Sequence, residues 1–149
     1  MSVERTCVLV KPDGVCTRHI GKVIDRMESA GLKVVGMKLT RLSQERAETF
    51  YREHQGKPFY GPLVSFMTAA PIVAMAWEGP AAVKTARQLM GATDSAKAET
   101  GTLRREYGTD NRYNFVHGSD SPESATREIQ FFFKPDELFA YGDKDWQTV

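Results

Sequence analysis

The segment that most limits the possible folds is "RTCVLVK" at residues 5–11, because it is apolar on both sides of an extended chain. Successive side chains of a strand point to opposite faces, so Val8 and Val10 share one face while Cys7 and Leu9 share the other. A strand with two apolar faces is typical of the centre of a sheet that is covered on both sides. We therefore expect a central β-strand, which the turn signal "PDG" ends.

Helix and strand patterns alternate along the rest of the chain. Apolar residues recur at helical spacing over 20–27, and Gly31 is expected to end that helix. The other predicted elements are a strand at 32–42 with a bulge or close contact at Gly36, a helix at 43–55, a helix at 63–69, a strand at 72–79, a helix from Pro80 to Gly91, a strand at 113–117 and a helix at 121–133. One turn of helix is expected in the tail.

Residues 91–112 are polar, rich in glycine and threonine, and only weakly periodic. A loop of this length in a compact domain is usually functional or disordered. Without the extra helices the order is βαββαβ. This order predicts an α+β, ferredoxin-like fold: a four-stranded antiparallel sheet with covering helices on one face and a long functional loop.

The composition narrows the class of protein. The chain has 149 residues, of which 20 are Lys or Arg and 19 are Asp or Glu, so no overall charge draws it to nucleic acid or membrane. Its two cysteines are too few for a disulfide framework. The first residues lack a secretory pattern, and no apolar run reaches the length of a membrane span. We expect a single domain over 1–149, with a peripheral tail from about residue 140, in the cytoplasm.

Two common site types are disfavoured by the sequence. The nearest approach to a phosphate-binding P-loop is "GLKVVGMK", where Met37 takes the lysine position and the segment has the pattern of a strand. The three histidines are too scattered for the spacing of a metal site, and the pair of cysteines has no histidine partner that would complete one. We expect no metal site built by protein side chains alone.

The stretch "YNFVHGSDSPESATREI" places His117 between a short strand and the start of a helix, with Ser121 as the N-cap and Pro122 at the first position. A helix N-terminus favours anions and disfavours a charged imidazole. Glu128 lies at the edge of the apolar face of that helix. If it reaches His117, it holds one ring nitrogen protonated and leaves the other free to attack. Spacing alone also allows a capping histidine and a solvated glutamate.

Several other polar or aromatic residues are ambiguous one by one. Lys11 ends a buried strand, Arg87 borders an apolar helix face, and an aromatic residue follows a proline in a loop. Taken together they form a basic, hydroxyl-bearing set with an aromatic surface, which suits a nucleoside polyphosphate. The set consists of Lys11, Tyr51, Phe59, Arg87, Thr93, Arg104 and Asn114.

Five segments resemble the nucleoside diphosphate kinases: "ERTCVLVKPDGV", "GKPFYGPLVSFM", "APIVAMAWEG", "GATDSAKAETGTLR" and "NFVHGSDSPESATREI". The resemblance covers about residues 4–139, and the histidine motif is its most specific part. It implies ping-pong transfer of the γ-phosphoryl group from a nucleoside triphosphate to a nucleoside diphosphate. The intermediate is a phosphohistidine on His117, and the base specificity is broad.

The resemblance also implies roles for individual residues. His117 attacks through Nδ1, Glu128 holds the other edge of its ring, and Ser119 supports Glu128. The remaining roles are contact with the transferred phosphoryl group by Lys11 and Tyr51, with the sugar by Lys11 and Asn114, with the other phosphates by Arg87, Thr93 and Arg104, and stacking on the base by Phe59. Mg²⁺ arrives on the nucleotide phosphates, so no protein cage is expected. A homo-oligomer is implied, a tetramer or hexamer built from dimers.

The chain departs from the usual family pattern mainly in the long loop. Asp94-Ser95 stands where relatives usually carry Asn-Pro, and Glu99-Thr100 stands where a small residue and often Pro precede Gly-Thr. Loss of prolines is expected to loosen the loop and weaken subunit contacts. "LRREY" adds Arg105, and Asn111 replaces an apolar residue that often faces the base. "TRHIG" also differs from the common Arg-Gly before the first helix.

Two other function classes remain open on the sequence. A phosphohistidine carrier or signalling protein would use the same His117. A ferredoxin-like nucleic-acid-binding module is disfavoured by the near-neutral charge and by the absence of aromatics alternating on an exposed strand.

Overall fold

A computed structural model of the protein describes residues 3–148. Within this range the chain forms one sheet of four strands: β1 (Val3–Val10), β2 (Lys33–Thr40), β3 (Ile72–Pro80) and β4 (Val116–Gly118). The strand order is β2-β3-β1-β4, and every adjacent pair is antiparallel. This arrangement confirms the predicted ferredoxin-like fold, with β1 in the interior of the sheet.

The α-helices in this part of the chain are α1 (Pro12–Cys16), α2 (Ile20–Ser29), α3 (Gln44–Phe50), α4 (Tyr60–Thr68), α5 (Ala82–Met90), α6 (Leu103–Tyr107) and α7 (Pro122–Phe132). Short 3-10 turns occur at Arg52–His54, Ser95–Lys97, Pro135–Glu137 and Asp145–Thr148. The predicted N-cap of α7 is confirmed, since the Ser121 hydroxyl accepts a 3.1 Å bond from the Ser124 amide. Ser43 caps α3 in the same way.

Helices cover both faces of the sheet. On one face Val8 and Val10 pack with α2 and α5, and on the other Cys7 and Leu9 pack with α3, α4 and α7. The expectation that the helices lie on one face was therefore wrong. The apolar pattern of β1 is the physical reason, because a strand with buried side chains on both faces needs cover on both faces.

The fourth strand is shorter and later than predicted. It begins at Val116, whereas the sequence predicted a strand over 113–117. Phe115 has a φ of 78°, and the Val116 amide bonds to the Asn114 carbonyl at 2.8 Å. This left-handed residue turns the chain just before the strand, so the preceding residues leave the sheet and join the loop.

Other boundaries also differ from the prediction. Pro80 ends β3, paired with Val3, and does not begin α5. The "PDG" turn is the start of the short helix α1, and α4 begins at Tyr60. A register shift between Val34 and Gly36 confirms the predicted bulge. The 91–112 segment is partly ordered into a 3-10 turn and α6, because Leu103 is fully buried and anchors it to the core.

The tail packs against β2 from the side. The Phe139 amide donates to the Val35 carbonyl at 2.9 Å, and Lys33 donates to the Tyr141 carbonyl at 2.9 Å. The Tyr141 hydroxyl also bonds to the Val34 carbonyl. The single-domain organisation stays a prediction. Across residues 3–148 no helix combines the length and the apolar character that crossing a membrane demands.

The first prediction concerns Gly14, which follows Asp13 at the start of the helix after β1. A Cβ at this position would lie 2.7 Å from Val10 Cγ1 and 2.8 Å from Phe115 Cε1. We expect Gly14→Ala to lower the free energy of unfolding by about 1–3 kcal/mol, because neither neighbour moves freely.

The matched control is Gly21→Ala, where a Cβ meets nothing within 4 Å and the residue lies in α2. We expect this change to raise the free energy of unfolding by about 0.5–1 kcal/mol, from helix propensity alone. Denaturant unfolding of both variants gives the comparison. Equal effects of the two substitutions would contradict the packing argument.

Candidate active site

A cavity of about 710 Å³ opens beside the carboxyl end of β1 and the mouth of α7. All but one of the residues singled out from the sequence line it: Lys11, Tyr51, Phe59, Arg87, Thr93, Arg104, Asn114, His117 and Glu128. The exception, Ser119, is fully buried behind Glu128. Residues that lie far apart in the sequence thus meet in one cleft.

His117 is fixed by the sheet on one side and by α7 on the other. It lies in β4 opposite Leu9 of β1, and its Nε2 is 3.0 Å from Glu128 Oε1. Because a carboxylate only accepts hydrogen bonds, the hydrogen of the neutral ring is on Nε2. Nδ1 then carries the lone pair, and it makes no hydrogen bond with residues 3–148. The edge of the Phe50 ring packs against the imidazole, with centroids 5.6 Å apart.

Glu128 is a buried carboxylate that two donors hold in its charged form. Burial by itself would raise its pKa, but the hydrogen bonds from His117 and Ser119, together with the charge of Arg127, outweigh burial and keep the pKa below its ordinary value. The Ser119 hydroxyl lies 2.7 Å from the same oxygen that faces His117. Ser119 is in turn fixed to β1, since its amide donates to the Cys7 carbonyl at 3.1 Å.

Lys11 brings a positive charge into the cleft at the end of β1. Its side chain is buried, and Nζ donates to Asn114 Oδ1 at 2.7 Å. Burial, together with repulsion from Arg104, lowers the pKa of Lys11 from 10.5 to about 8, although Asp13 opposes the shift. The amine is therefore mostly protonated at neutral pH and mostly uncharged above pH 8. An anionic ligand would stabilise the charged form.

Arg104 is the most tightly held cation in the cleft. Its guanidinium donates to three backbone carbonyls, at Asn114, Gly91 and Val116. Burial and the charge of Arg87 lower its pKa to about 10, so it stays charged at physiological pH. Arg87 donates to the Gly118 carbonyl at 3.3 Å. These bonds fix two guanidinium groups at the wall of the cleft.

Tyr51 lines the cleft and has a hydroxyl that the described chain leaves unsatisfied. It is buried, and within residues 3–148 it has no hydrogen-bond partner. Burial, and secondarily the negative charge of Glu128, raise its pKa well above the ordinary value, so the group keeps its proton. A buried hydroxyl without a partner costs free energy, which a ligand oxygen would recover.

The outer part of the cleft is more open. Phe59 is 44% exposed, and its ring lies 5.2 Å from the ring of His54, with Lys57 on the same ring. Asn111, which replaces the apolar residue that is usual in the family, lines this part of the cavity. Sequence reasoning missed the other polar lining residues, among them Glu53, His54, Asp94, Asp110, Arg112, Asp120 and Ser124. These side chains follow no periodic pattern that would separate them from ordinary surface residues.

The donor set of the cleft is suited to anions. Four cationic side chains line its walls, Lys11, Arg87, Arg104 and Arg112, and in the described chain no three His, Cys, Asp or Glu side chains gather into a site for a metal ion. The basic side chains therefore suit a ligand that carries negative charge.

Comparison with known proteins identifies the family to which the chain belongs. The family model described as nucleoside diphosphate kinase matches residues 4–138. The chain belongs to the nucleoside diphosphate kinase family. It is a phosphotransferase, which confirms the family, the activity and the class of enzyme predicted from the sequence motifs.

Relatives from bacteria and archaea cover nearly the whole chain. A nucleoside diphosphate kinase of Carboxydothermus hydrogenoformans is 54% identical over 93% of this chain and 93% of its own length. One from Staphylothermus marinus is 49% identical over 98% of this chain and 100% of its own length. Among solved structures, a halophilic nucleoside diphosphate kinase from Halobacterium salinarum in complex with CDP has a TM-score of 0.93 and 46% identity, covering 99% of each chain.

The second prediction follows from the buried charge of Lys11. Because the folded state lowers its pKa from 10.5 to about 8, the charged amine opposes folding below about pH 8, and this penalty disappears as the pH rises toward 10.5. We expect Lys11→Met to raise the free energy of unfolding by about 1–2 kcal/mol at pH 7, since an unpaired Asn114 offsets part of the gain. Nucleotide affinity is expected to fall at least about tenfold.

Denaturant unfolding at pH 7 and pH 10, with nucleotide titration at pH 7, tests this prediction. Lys22→Met is the control, because Lys22 is an exposed lysine of α2 and neither quantity should change. A Lys11→Met variant that is less stable than the native chain at pH 7 would contradict the argument. The argument would also be contradicted if the difference in free energy of unfolding between Lys11→Met and the native protein were as large at pH 10 as at pH 7.

Proposed function

We propose that His117 carries the γ-phosphoryl group from a nucleoside triphosphate to a nucleoside diphosphate, in a ping-pong reaction of broad base specificity. The observation that carries this proposal is the 3.0 Å contact between His117 Nε2 and Glu128 Oε1. It leaves the Nδ1 lone pair unused in a cleft that contains Lys11, Arg87 and Arg104. A neutral, oriented imidazole beside three cations is the arrangement that attack on a phosphate needs.

In the first half-reaction, Nδ1 of His117 attacks the γ-phosphorus, a nitrogen–phosphorus bond forms, and the bond from phosphorus to the bridging oxygen breaks. The electron pair of that bond leaves with the nucleoside diphosphate. As positive charge develops on the ring, the Nε2–H bond to Glu128 strengthens and stabilises it. In the second half-reaction, a terminal oxygen of the incoming nucleoside diphosphate attacks the phosphohistidine, and the electron pair returns to Nδ1.

The cations and hydroxyls of the cleft bind the phosphates in this proposal. Lys11 and Tyr51 lie beside the transferred group, and Arg87, Thr93 and Arg104 bind the other phosphates. The buried Tyr51 hydroxyl gains the partner that it lacks in the free protein. Because Arg104 is already fixed by three carbonyls, little side-chain entropy is lost when a phosphate binds.

Mg²⁺ is the divalent cation that we propose accompanies the nucleotide, where it neutralises phosphate charge. The cationic side chains that bind the phosphates would hold the complex of Mg²⁺ with the nucleotide. The ion itself requires no direct protein ligand. For the sugar, the amide of Asn114 and the amine of Lys11 are the available groups. They already form a 2.7 Å pair.

Stacking on Phe59 accounts for broad base specificity, since every base has a π-face. The Halobacterium salinarum relative was solved in complex with CDP. We extend nucleotide binding of this kind to the present chain. Asn111 adds a polar group near Phe59 in place of the apolar residue that is usual in the family, and both residues line the cleft.

The third prediction is that His117→Ala abolishes phosphotransfer and leaves nucleotide binding within about threefold of native. Loss of the nucleophile should lower turnover by a factor on the order of 10⁴ or more. Coupled assay of turnover and direct titration of ADP are the two measurements. His19→Ala is the control, because His19 lies outside the cleft against Tyr107. Substantial turnover by the His117→Ala protein would sink the assignment.

A phosphohistidine carrier would use the same histidine. The two functions differ in what removes the phosphoryl group from the protein, which a radioactive label follows. ATP carrying a radioactive γ-phosphate should label the native protein in acid-labile form. Added GDP or CDP should discharge the label rapidly if the protein is an exchange enzyme. Discharge only by a partner protein would favour the carrier.

We also propose a homo-oligomer, a tetramer or hexamer built from dimers. The support is an exposed apolar set on and beside the edge strand β2: Met37 is 46%, Leu39 is 65% and Phe139 is 62% exposed. An edge strand with apolar side chains is a favourable surface for association. A cytoplasmic location belongs to the same proposal, because both cysteines are free thiols, as a reducing compartment maintains.

The fourth prediction is that Leu39→Glu reduces the size of the assembly, because a buried charge at a subunit contact is unfavourable. Mass measurement in solution at several protein concentrations gives the result. Gln88→Glu on α5 adds the same charge at an exposed site away from β2 and should leave the assembly unchanged. If the native protein is a monomer at all concentrations, the oligomer proposal is wrong.

A further inference from the structure

A second cavity of about 490 Å³ lies between the end of α3 and α7, behind the catalytic pair. We name it the rear cavity. Its apolar part is formed by Phe50 and Phe131, whose ring centroids are 5.2 Å apart. Glu53 and Glu128 line both this cavity and the nucleotide cleft. Its volume is in the range of small-molecule sites, about 300–1,000 Å³.

The feature that makes the rear cavity more than a surface groove is Glu128. The residue is only 7% exposed, yet both of its hydrogen bonds, from His117 and Ser119, go to Oε1. Its Oε2 receives no hydrogen bond from the part of the chain that the structure describes. Unlike the Tyr51 hydroxyl, Oε2 is not one of the fully buried polar atoms without a partner in the described chain, so water or a ligand can reach it. Glu128 lines the rear cavity, and Oε2 is the carboxylate oxygen that its hydrogen bonds with His117 and Ser119 leave free for a ligand.

The surroundings favour a cationic aromatic ligand. The guanidinium of Arg46 lies over the Phe131 ring, 3.8 Å from its centroid, so the ring attracts a planar cation, and a ligand would pack on the part of the ring that faces the rear cavity. Arg52 and Arg127 also line the cavity and would favour an anion. Both are exposed, where water and salt weaken their fields, although the charge of Arg127 still contributes to the lowered pKa of Glu128. The exposed carboxylate of Glu53 further offsets them.

We propose that the rear cavity binds a planar aromatic cation with N–H donors, of the amidinium or guanidinium class. Its ring packs against Phe50 and Phe131, and its N–H groups donate to Glu128 Oε2. The effect on catalysis rests on the proposed role of His117. A cation on Oε2 withdraws charge from Oε1 and weakens the bond to Nε2–H, so the phosphohistidine forms more slowly while nucleotide binding is unchanged.

Benzamidine is the test ligand, because it combines an aromatic ring with an amidinium that can pair with a carboxylate. Binding is measured by calorimetry on the full chain, with the nucleotide cleft filled by saturating ADP and Mg²⁺. We expect benzamidine to bind under these conditions. Gln130, an exposed residue of α7, lines the rear cavity and has no role in the cleft. We expect Gln130→Trp to fill the cavity and weaken binding at least about tenfold, while the matched Gln130→Ala changes it less than about twofold.

Three outcomes would overturn the site or its ligand class. Competition between benzamidine and ADP would assign the binding to the nucleotide cleft. Equal binding by the native and Gln130→Trp proteins would exclude the rear cavity. Tighter binding of benzoate than of benzamidine would show that the arginines, not Glu128, select the ligand. None of these measurements uses turnover, so they stand even if His117 proves not to carry the phosphoryl group.

The effect on catalysis has its own measurement. We expect saturating benzamidine to lower kcat with the KM for the nucleoside diphosphate unchanged, and to slow labelling of the protein by ATP in a single turnover. The Gln130→Trp variant should keep native kcat and lose this inhibition. If bound benzamidine leaves the labelling rate unchanged, the regulatory part of the proposal is wrong.

Discussion

The burial of β1 on both faces is the constraint on which the rest of the structure depends. It requires helices on each side of the sheet, and it places the carboxyl end of the strand beside the cleft. Lys11 follows directly at its carboxyl end, and the pairing with β4 fixes His117 opposite Leu9. Ser119 is bonded to Cys7 of the same strand and to Glu128 of α7. His117 and Glu128, the proposed catalytic pair, are therefore held by the buried core.

The same rigidity has a thermodynamic cost at the cleft. Lys11 and Arg104 are buried cations whose pKa values are lowered by burial, and the Tyr51 hydroxyl has no partner in the described chain. Each of these features opposes folding, and each becomes favourable when phosphate oxygens arrive. The apolar layers on both sides of β1 offset this cost. The cleft is thus prepared for a charged ligand before the ligand binds.

Periodicity in the sequence predicted the elements that bury regular apolar faces, namely β1, β3, α2 and α7. Periodicity failed where the backbone conformation or the burial of a single residue determines the local structure. No pattern indicates that Phe115 adopts a left-handed conformation, so the start of β4 was wrong. The helix at Leu103–Tyr107 was missed because one buried leucine anchors a segment that is otherwise polar. Likewise, motifs pointed to the residues that line the cleft, but their contacts depend on tertiary packing. Their catalytic roles stay a proposal.

The loop that lacks the usual prolines is fixed by a different means. Backbone carbonyls of the loop accept hydrogen bonds from side chains: Asn114 bonds to Thr93 at 2.9 Å, and Arg104 bonds to Gly91 at 2.9 Å. Arg105, which departs from the usual pattern, donates to the Ala96 carbonyl at 2.8 Å. A proline restricts the unfolded chain, whereas these bonds act only in the folded state. Since Asn114 also binds Lys11, the order of the loop and the position of the Lys11 amine depend on one side chain. A nucleotide that contacts Lys11 therefore acts on the loop as well.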